Sequence, residues 1–133
     1  MELTGRVGIV TGAAGGIGAA TARLMAARGA AVVLADVKPE VEATAAAIRA
    51  GGGRAEAVVS DSATEAGAEA LVARARAAFG RLDILHANAG VSGPLAPTLD
   101  TSATDFAEIL RINLIGPWLL ARAAIPHLGP GAA

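Results

Sequence analysis

The sequence predicts an α/β fold, a doubly wound parallel sheet of about four strands with helices on both faces. Three observations predict it. Short apolar runs of strand length alternate with longer stretches whose apolar residues recur at helical spacing. A glycine-rich run, Thr11-Gly12-Ala13-Ala14-Gly15-Gly16-Ile17-Gly18, stands where the first strand hands over to the first helix. An acidic residue, Asp36, closes the second apolar run 18 residues past Gly18. Neighbouring parallel strands need long crossovers of one hand, and those crossovers cover both faces of the sheet. The strand order that follows is 3-2-1-4, within a single domain over residues 1–133.

Val7 to Val10 is the first strand, and Ile17, Ala20, Thr21, Leu24 and Met25 then recur at helical spacing until Arg28-Gly29 ends the helix. Ala31 to Ala35 is a continuous apolar strand ending at Asp36, and Pro39 opens a helix carrying Val41, Ala45 and Ile48, stopped by Gly51-Gly52-Gly53. Ala55 to Val59 is the third strand. Thr64, with Glu65 in the first turn, starts a helix whose Ala68, Leu71, Val72, Ala75 and Phe79 share a face, closed by Gly80. Ile84 to Ala87 is the fourth strand, followed by a Gly-, Ser- and Pro-rich loop from Asn88 to about Ser102 and a last helix from about Thr104 to Ala124.

The glycine run has the character of a phosphate cradle. Glycines turn the backbone sharply and bring N–H groups close to a pyrophosphate, while the positive end of the following helix favours the phosphate charge. Asp36 has the position of a carboxylate that accepts hydrogen bonds from adenosine ribose hydroxyls; its alternative reading is a cap on the turn before Pro39 or on the next helix. An anionic group there repels a 2′-phosphate, and Ala13, Ala14 and Gly15 supply no arginine to bind one, so NAD is favoured over NADP. Lys38 stands close enough to Asp36 to offset part of that charge.

Thr-Gly-x-x-x-Gly-Ile-Gly at Thr11 to Gly18 is followed by Leu34-Ala35-Asp36, Val59-Ser60-Asp61-Ser62, Asn88-Ala89-Gly90 and Arg111-Ile112-Asn113-Leu114-Ile115-Gly116. In that order these segments resemble the N-terminal, cofactor-binding half of the short-chain dehydrogenase/reductase family, a Rossmann-type fold. The resemblance implies that Gly12, Gly15, Gly16, Ile17 and Gly18 form the pyrophosphate turn. It further implies that Asp61 hydrogen-bonds the adenine, that Ser62 helps through its backbone, and that Asn88, Ala89 and Gly90 line the adenosine side. The alternatives are that Asp61 caps the region of the Thr64 helix and that Asn88 stabilises a turn. Where the family often has two asparagines before Ala-Gly, this sequence has Ala87-Asn88.

Asn113 resembles the family's active-site asparagine, whose backbone carbonyl holds a water in a proton relay beneath a tyrosine and a lysine. Pro117 is four residues later and has no N–H, so within one helix the Asn113 carbonyl loses its normal donor; an ordinary proline kink is the alternative outcome. The family's serine, tyrosine and lysine come later than Asn113. These 133 residues contain no tyrosine, Lys38 is the single lysine, and Ser92 and Ser102 cannot be assigned the serine's role.

The implied function is the NAD-binding portion of an oxidoreductase that transfers hydride between a nicotinamide cofactor and an alcohol or ketone, without turnover by these residues alone. A non-catalytic NAD-binding or sensing module is the alternative. A methyltransferase-like domain leaves the Asn88-Ala89-Gly90 and Asn113 segments without a reason, and an inert scaffold is the remaining reading. With no fifth strand, the fourth strand is expected to be a bare edge. The last helix is expected to expose Phe106, Ile109, Leu110, Ile112, Leu114, Trp118 and Leu119, so self-association or a complementing chain is expected there.

Composition narrows the classes further. At 53% hydrophobic residues the sequence is ample for a core, while a net charge of -1 and 17% charged residues offer no basic surface for nucleic acid. There is no cysteine, hence no disulfide framework or thiol nucleophile, and His86 and His127 lie far apart in sequence with neither in a ligand-spaced cluster, so no metal site is expected. His86 reads as a packed strand residue. The start lacks a signal-peptide pattern, and apolar runs are broken before the ~20 residues a bilayer crossing needs. A cytoplasmic protein without membrane partners is expected.

Overall fold

The structure is a computed structural model and describes residues 2–133. Four short apolar runs form the strands: β1 Val7–Thr11, β2 Ala31–Asp36, β3 Arg54–Val59 and β4 Ile84–His86. Every residue of β1, and every residue of β2 but Asp36, is buried, which is why these segments carry no alternation of polar and apolar side chains. All pairings are parallel and the order is β3-β2-β1-β4, as the crossover argument requires. The chain therefore reverses its progress across the sheet between β1 and β4, and a crevice opens at the carboxyl ends of those strands.

Helices cover both faces. On one side α1 (Gly16–Ala27) and α2 (Val41–Ala50) bury Ala22, Met25, Val41, Ala45 and Ile48 against Val10, Val32 and Leu34. On the other, α3 (Glu65–Phe79) packs Leu71, Val72 and Ala75 against Val7, Ile9 and Val33. Thr64 caps α3 as its sequence position predicts, its Oγ1 accepting the Gly67 N–H at 3.0 Å. Gly80, at φ 80°, closes the helix in the left-handed region.

The buried face of α1 differs from the predicted one. Ile17 and Leu24 are 74% and 56% exposed, while Gly18, Ala19, Ala22 and Met25 are buried. Helix and sheet approach so closely near the glycine turn that small residues must face inward there, and the bulky members of the apolar set turn outward.

The last helical run is continuous but not uniform. Ser102 caps α4 (Ala103–Leu110) by accepting the Asp105 N–H at 3.0 Å, Arg111–Ile115 form a π turn, and α5 (Gly116–Ala124) follows, ending in a 3₁₀ turn. Leu119, expected among the uncovered residues, is buried with Leu120 and Ala124 against α3, whereas Phe106, Leu114 and Trp118 are exposed. The run Ala103–His127 is 25 residues and contains an 18-residue window with a mean hydropathy of 1.2, long and apolar enough by length and composition to cross a bilayer. The expectation that no segment meets that test is corrected for this run, since a helix can continue through isolated arginines and acids that interrupt an apolar stretch.

The outer edge of β4 is also not bare. Leu82 bridges Leu128 in parallel, the Ala133 N–H donates to the Asp83 carbonyl at 2.9 Å, and the Leu85 N–H donates to the Ala133 carbonyl at 2.9 Å. The last residues thus begin a strand-like pairing along the edge that was expected to be bare. At the opposite face of that edge, the Asp83 carboxylate joins β1 to β4. It accepts the Val7 N–H at 3.0 Å, pairs with Arg6 at 2.9 Å and is gripped by Arg81 at 2.6 and 2.8 Å.

Candidate dinucleotide-binding cleft

The crevice above β1 and β4 is a cleft of ≈ 760 Å³. Its floor is the turn between β1 and α1. Gly12 at φ 66° and Gly16 at φ 53° occupy the left-handed region that side chains disfavour, which is the physical reason for glycine at both. Gly15 is the N-cap of α1, no side chain caps that terminus, and no acidic residue stands in its first turn. The helix's positive end is thereby left facing the cleft.

Gly12, Gly15, Gly16, Asp36, Asp61, Ser62, Asn88, Ala89 and Gly90 all line this one space, although they come from four separate stretches of chain. Two of the predicted turn residues do not. Ile17 is directed outward, and Gly18 lies beneath the turn, where a Cβ would overlap the Gly12 carbonyl oxygen and lie 2.8 Å from the Asn88 amide nitrogen. Gly18 is therefore required for packing of helix against turn.

Asp36 ends β2 half-buried, with both carboxylate oxygens already oriented. Oδ2 accepts the Ala14 N–H at 3.0 Å and Oδ1 accepts the Lys38 N–H at 3.0 Å. The capping role is thus real, though for the turn and not for α2, whose N-cap is Glu40. A carboxylate oxygen with one backbone donor retains accepting capacity toward the cleft.

Asn88 ties the end of β4 to the glycine turn. Its side-chain amide donates to the Thr11 carbonyl at 3.1 Å and to the Gly12 carbonyl at 3.4 Å. The N–H groups of Asn88 and Ala89 in turn donate to the Thr11 hydroxyl at 3.1 and 3.0 Å. Thr11 is 2% exposed, so this hydroxyl satisfies two loop donors from inside the fold. His86, half-buried as a packed strand residue, has a buried Nε2 without a hydrogen-bond partner.

Asn113 does not line the cleft. Its side chain forms a reciprocal pair with the Val91 peptide, Oδ1 accepting the Val91 N–H at 2.8 Å and Nδ2 donating to the Val91 carbonyl at 2.7 Å. It braces the loop after β4. The Gly116 N–H donates five residues back to the Arg111 carbonyl, and Pro117 brings no N–H to the next position. A π turn thus accompanies the proline where a simple kink was the alternative.

Sequence reading missed Arg111, Glu108 and Gly67. Arg111 and Glu108 line the cleft, and Arg111 reaches from the π turn to the β3–α3 loop, where it meets Asp61 Oδ2 at 3.0 Å and the Ala63 carbonyl at 2.9 Å. The fork it makes with Glu108, at 2.8 Å on both arms, pulls the Glu108 carboxyl below its ordinary value and pushes the guanidinium further above its own. Their three-residue spacing on a helix was the available signal. Gly67 is obligatory because a Cβ there would overlap the Asp61 carbonyl oxygen.

A second groove of ≈ 350 Å³ lies between α3 and α5, lined among others by Glu65, Arg76, Arg122 and His127. It lies on a helical face and shares no lining residue with the cleft. Among the described residues no group of three or more His, Cys, Asp or Glu is arranged to hold a metal.

The family model described as short chain dehydrogenase matches residues 6–132. Cis-4-hydroxycyclohexanecarboxylate dehydrogenase of Sinomonas cyclohexanicum is 46% identical over 130 residues, which take in 96% of this chain and 52% of that protein. A short chain dehydrogenase/reductase from Burkholderia phymatum, solved in complex with NAD, superposes with a TM-score of 0.91 at 34% identity, covering 96% of this chain and 46% of that one. A short chain dehydrogenase from Burkholderia cenocepacia J2315, solved in complex with NADP, superposes with a TM-score of 0.92 at 36% identity, covering 99% and 54%. The chain spans about half the length of the curated relatives it matches.

Proposed function

Because this chain belongs to the short-chain dehydrogenase family, we propose that its cleft binds NAD(H) as the cofactor-holding part of an oxidoreductase acting on an alcohol or ketone. The observation that carries this reading is the convergence of an uncapped helix N-terminus, two left-handed glycines and the oriented Asp36 carboxylate on one cleft at the switch point of the sheet. The residues present fit the group. The turn lets the pyrophosphate approach backbone N–H donors, Asp36 accepts from the adenosine ribose, and Asp61 with Ser62 meets the base. Asn88, Ala89 and Gly90 line the adenosine side.

The nicotinamide, when bound, supplies or accepts the hydride. What these residues contribute is binding and orientation, since effective transfer needs the reacting carbons held in near-attack geometry. Pro117 withholds the donor four residues past the Asn113 carbonyl, and that carbonyl is the group assigned here to hold a proton-relay water. These residues include no tyrosine to serve as the acid for the substrate oxygen. The exposed Phe106, Leu114 and Trp118 supply the apolar surface for a second copy or a complementing chain.

Preference for NAD over NADP rests on charge. Asp36 repels a 2′-phosphate; Lys38 is exposed and is the one lining cation besides Arg111, which is engaged by two carboxylates. Calorimetric titration tests this. The native chain is expected to bind NADH at micromolar concentration and NADPH more weakly. Asp36→Asn, which keeps the shape and removes the charge, should weaken NADH by about tenfold and narrow the gap to NADPH. Equal affinity of the native chain for the two dinucleotides would contradict the assignment.

A further inference from the structure

We infer that Arg111 is a positioning residue for base recognition, acting on the dinucleotide through the Asp61 carboxylate and not by touching the cofactor. This rests on the dinucleotide reading of the cleft and extends it to the residue that sets which base is accepted. An arginine lining a cleft for a phosphate-bearing ligand would ordinarily be assigned to the phosphates. Its atoms are already committed here. Nε and Nη2 fork onto Glu108, Nη2 also meets Asp61 Oδ2 at 3.0 Å, and Nη1 donates to the Ala63 carbonyl at 2.9 Å.

The consequence falls on Asp61. Its Oδ1 accepts the Ala63 N–H at 2.9 Å, so with Oδ2 held by Arg111 the carboxylate is fixed at both oxygens, although its side chain is 38% exposed. A carboxylate only accepts, and one on a loop free to rotate could turn from the position of the adenine amine to accept from the ring N–H that hypoxanthine carries beside its carbonyl. One fixed in this way presents an acceptor edge of single orientation, which selects a base bearing an exocyclic amine over one bearing a carbonyl at that position. The guanidinium is itself held in plane by Glu108, three residues earlier on the same helical run.

The helix and the loop are close enough for this bracing to be rigid. A Cβ at Gly116 would stand 3.0 Å from the Ala63 Cβ, and Asn113, two residues past Arg111, holds the Val91 peptide on the far side of the cleft. One turn of helix thus positions both the base loop and the loop after β4.

The test compares NADH with its hypoxanthine analogue, in which a carbonyl replaces the adenine amine, by titration of the full 133-residue chain. The native chain should prefer NADH by about tenfold. Arg111→Met should reduce that preference to about twofold or less by weakening NADH selectively, and Arg111→Lys, which restores a charge near Asp61 but cannot span all three partners, should recover part of it. Far-UV circular dichroism reports folding of both variants, so that loss of Arg111→Met to misfolding leaves Arg111→Lys to decide. Equal weakening of both dinucleotides, or an unchanged preference in the variants, overturns the inference and leaves the dinucleotide site standing. A native chain that binds both dinucleotides equally also overturns it, and one that binds neither overturns the site as well.

Discussion

Gly18→Ala is expected to abolish measurable NADH binding and to destabilise the fold by about 2 kcal/mol, in the range of an overpacked core site. The added Cβ would overlap the Gly12 carbonyl oxygen and press on the Asn88 amide nitrogen at 2.8 Å, both of which are part of the link between the glycine turn and the end of β4. Neither is the flexible end of a long side chain, so relief requires the turn and α1 to separate. That movement displaces Gly12, Gly15 and Gly16 together. Gly15→Ala is the control, because its φ of -166° is ordinary extended backbone and a Cβ there meets nothing within 4 Å. Thermal denaturation should show a drop of roughly 6–10 °C for Gly18→Ala and little change for Gly15→Ala. A Gly18→Ala chain with native stability and affinity would contradict the packing account.

Asp83→Asn should cost on the order of 2 kcal/mol at neutral pH and should flatten the acid limb of the stability curve. Burial of Asp83, whose side chain is 3% exposed, opposes ionisation. The Arg81 hydrogen bonds, the Val7 N–H and Arg6 outweigh that burial and hold the carboxyl at about 2. The folded-state value is depressed, so the contribution is fully present above the ordinary carboxylate value of 3.8 and is lost as pH falls through about 2. Both arginines are partly exposed, at 39% and 54%, and solvent screening limits the loss when the carboxylate is replaced. Urea denaturation at pH 7 and near pH 3 should give a smaller difference for Asp83→Asn than for the native chain. Equal differences would place the acid sensitivity elsewhere.

Much of this molecule was legible because the determinants are local. Continuous apolar runs such as Ala31 to Ala35, alternating with helical stretches, are what a parallel sheet covered on both faces requires, and that alternation points to class, crossovers and switch point together. The glycine turn and Asp36 were legible for the same reason, one being a backbone requirement and the other a strand end. Features set by contacts between distant segments were not. Ile17 and Leu24 share helical spacing with Met25, yet the closeness of α1 to the turn makes Gly18, Ala19 and Ala22 the inward face. Arg111 lies 50 residues past Asp61, and nothing in either local sequence announces the pair. The pairing of Ala133 with β4 likewise depends on a fold already in place.

The central claim is that this chain holds a dinucleotide at the carboxyl ends of β1 and β4, and amide chemical-shift mapping of the ¹⁵N-labelled chain during titration with NADH tests it most directly. Saturable shifts are predicted at Gly12, Gly16, Ser62 and Ala89, on three separate loops that meet at the cleft. Shifts confined to the groove between α3 and α5, at Glu65, Arg76, Arg122 and His127, would contradict it, as would a folded chain whose spectrum NADH leaves unchanged.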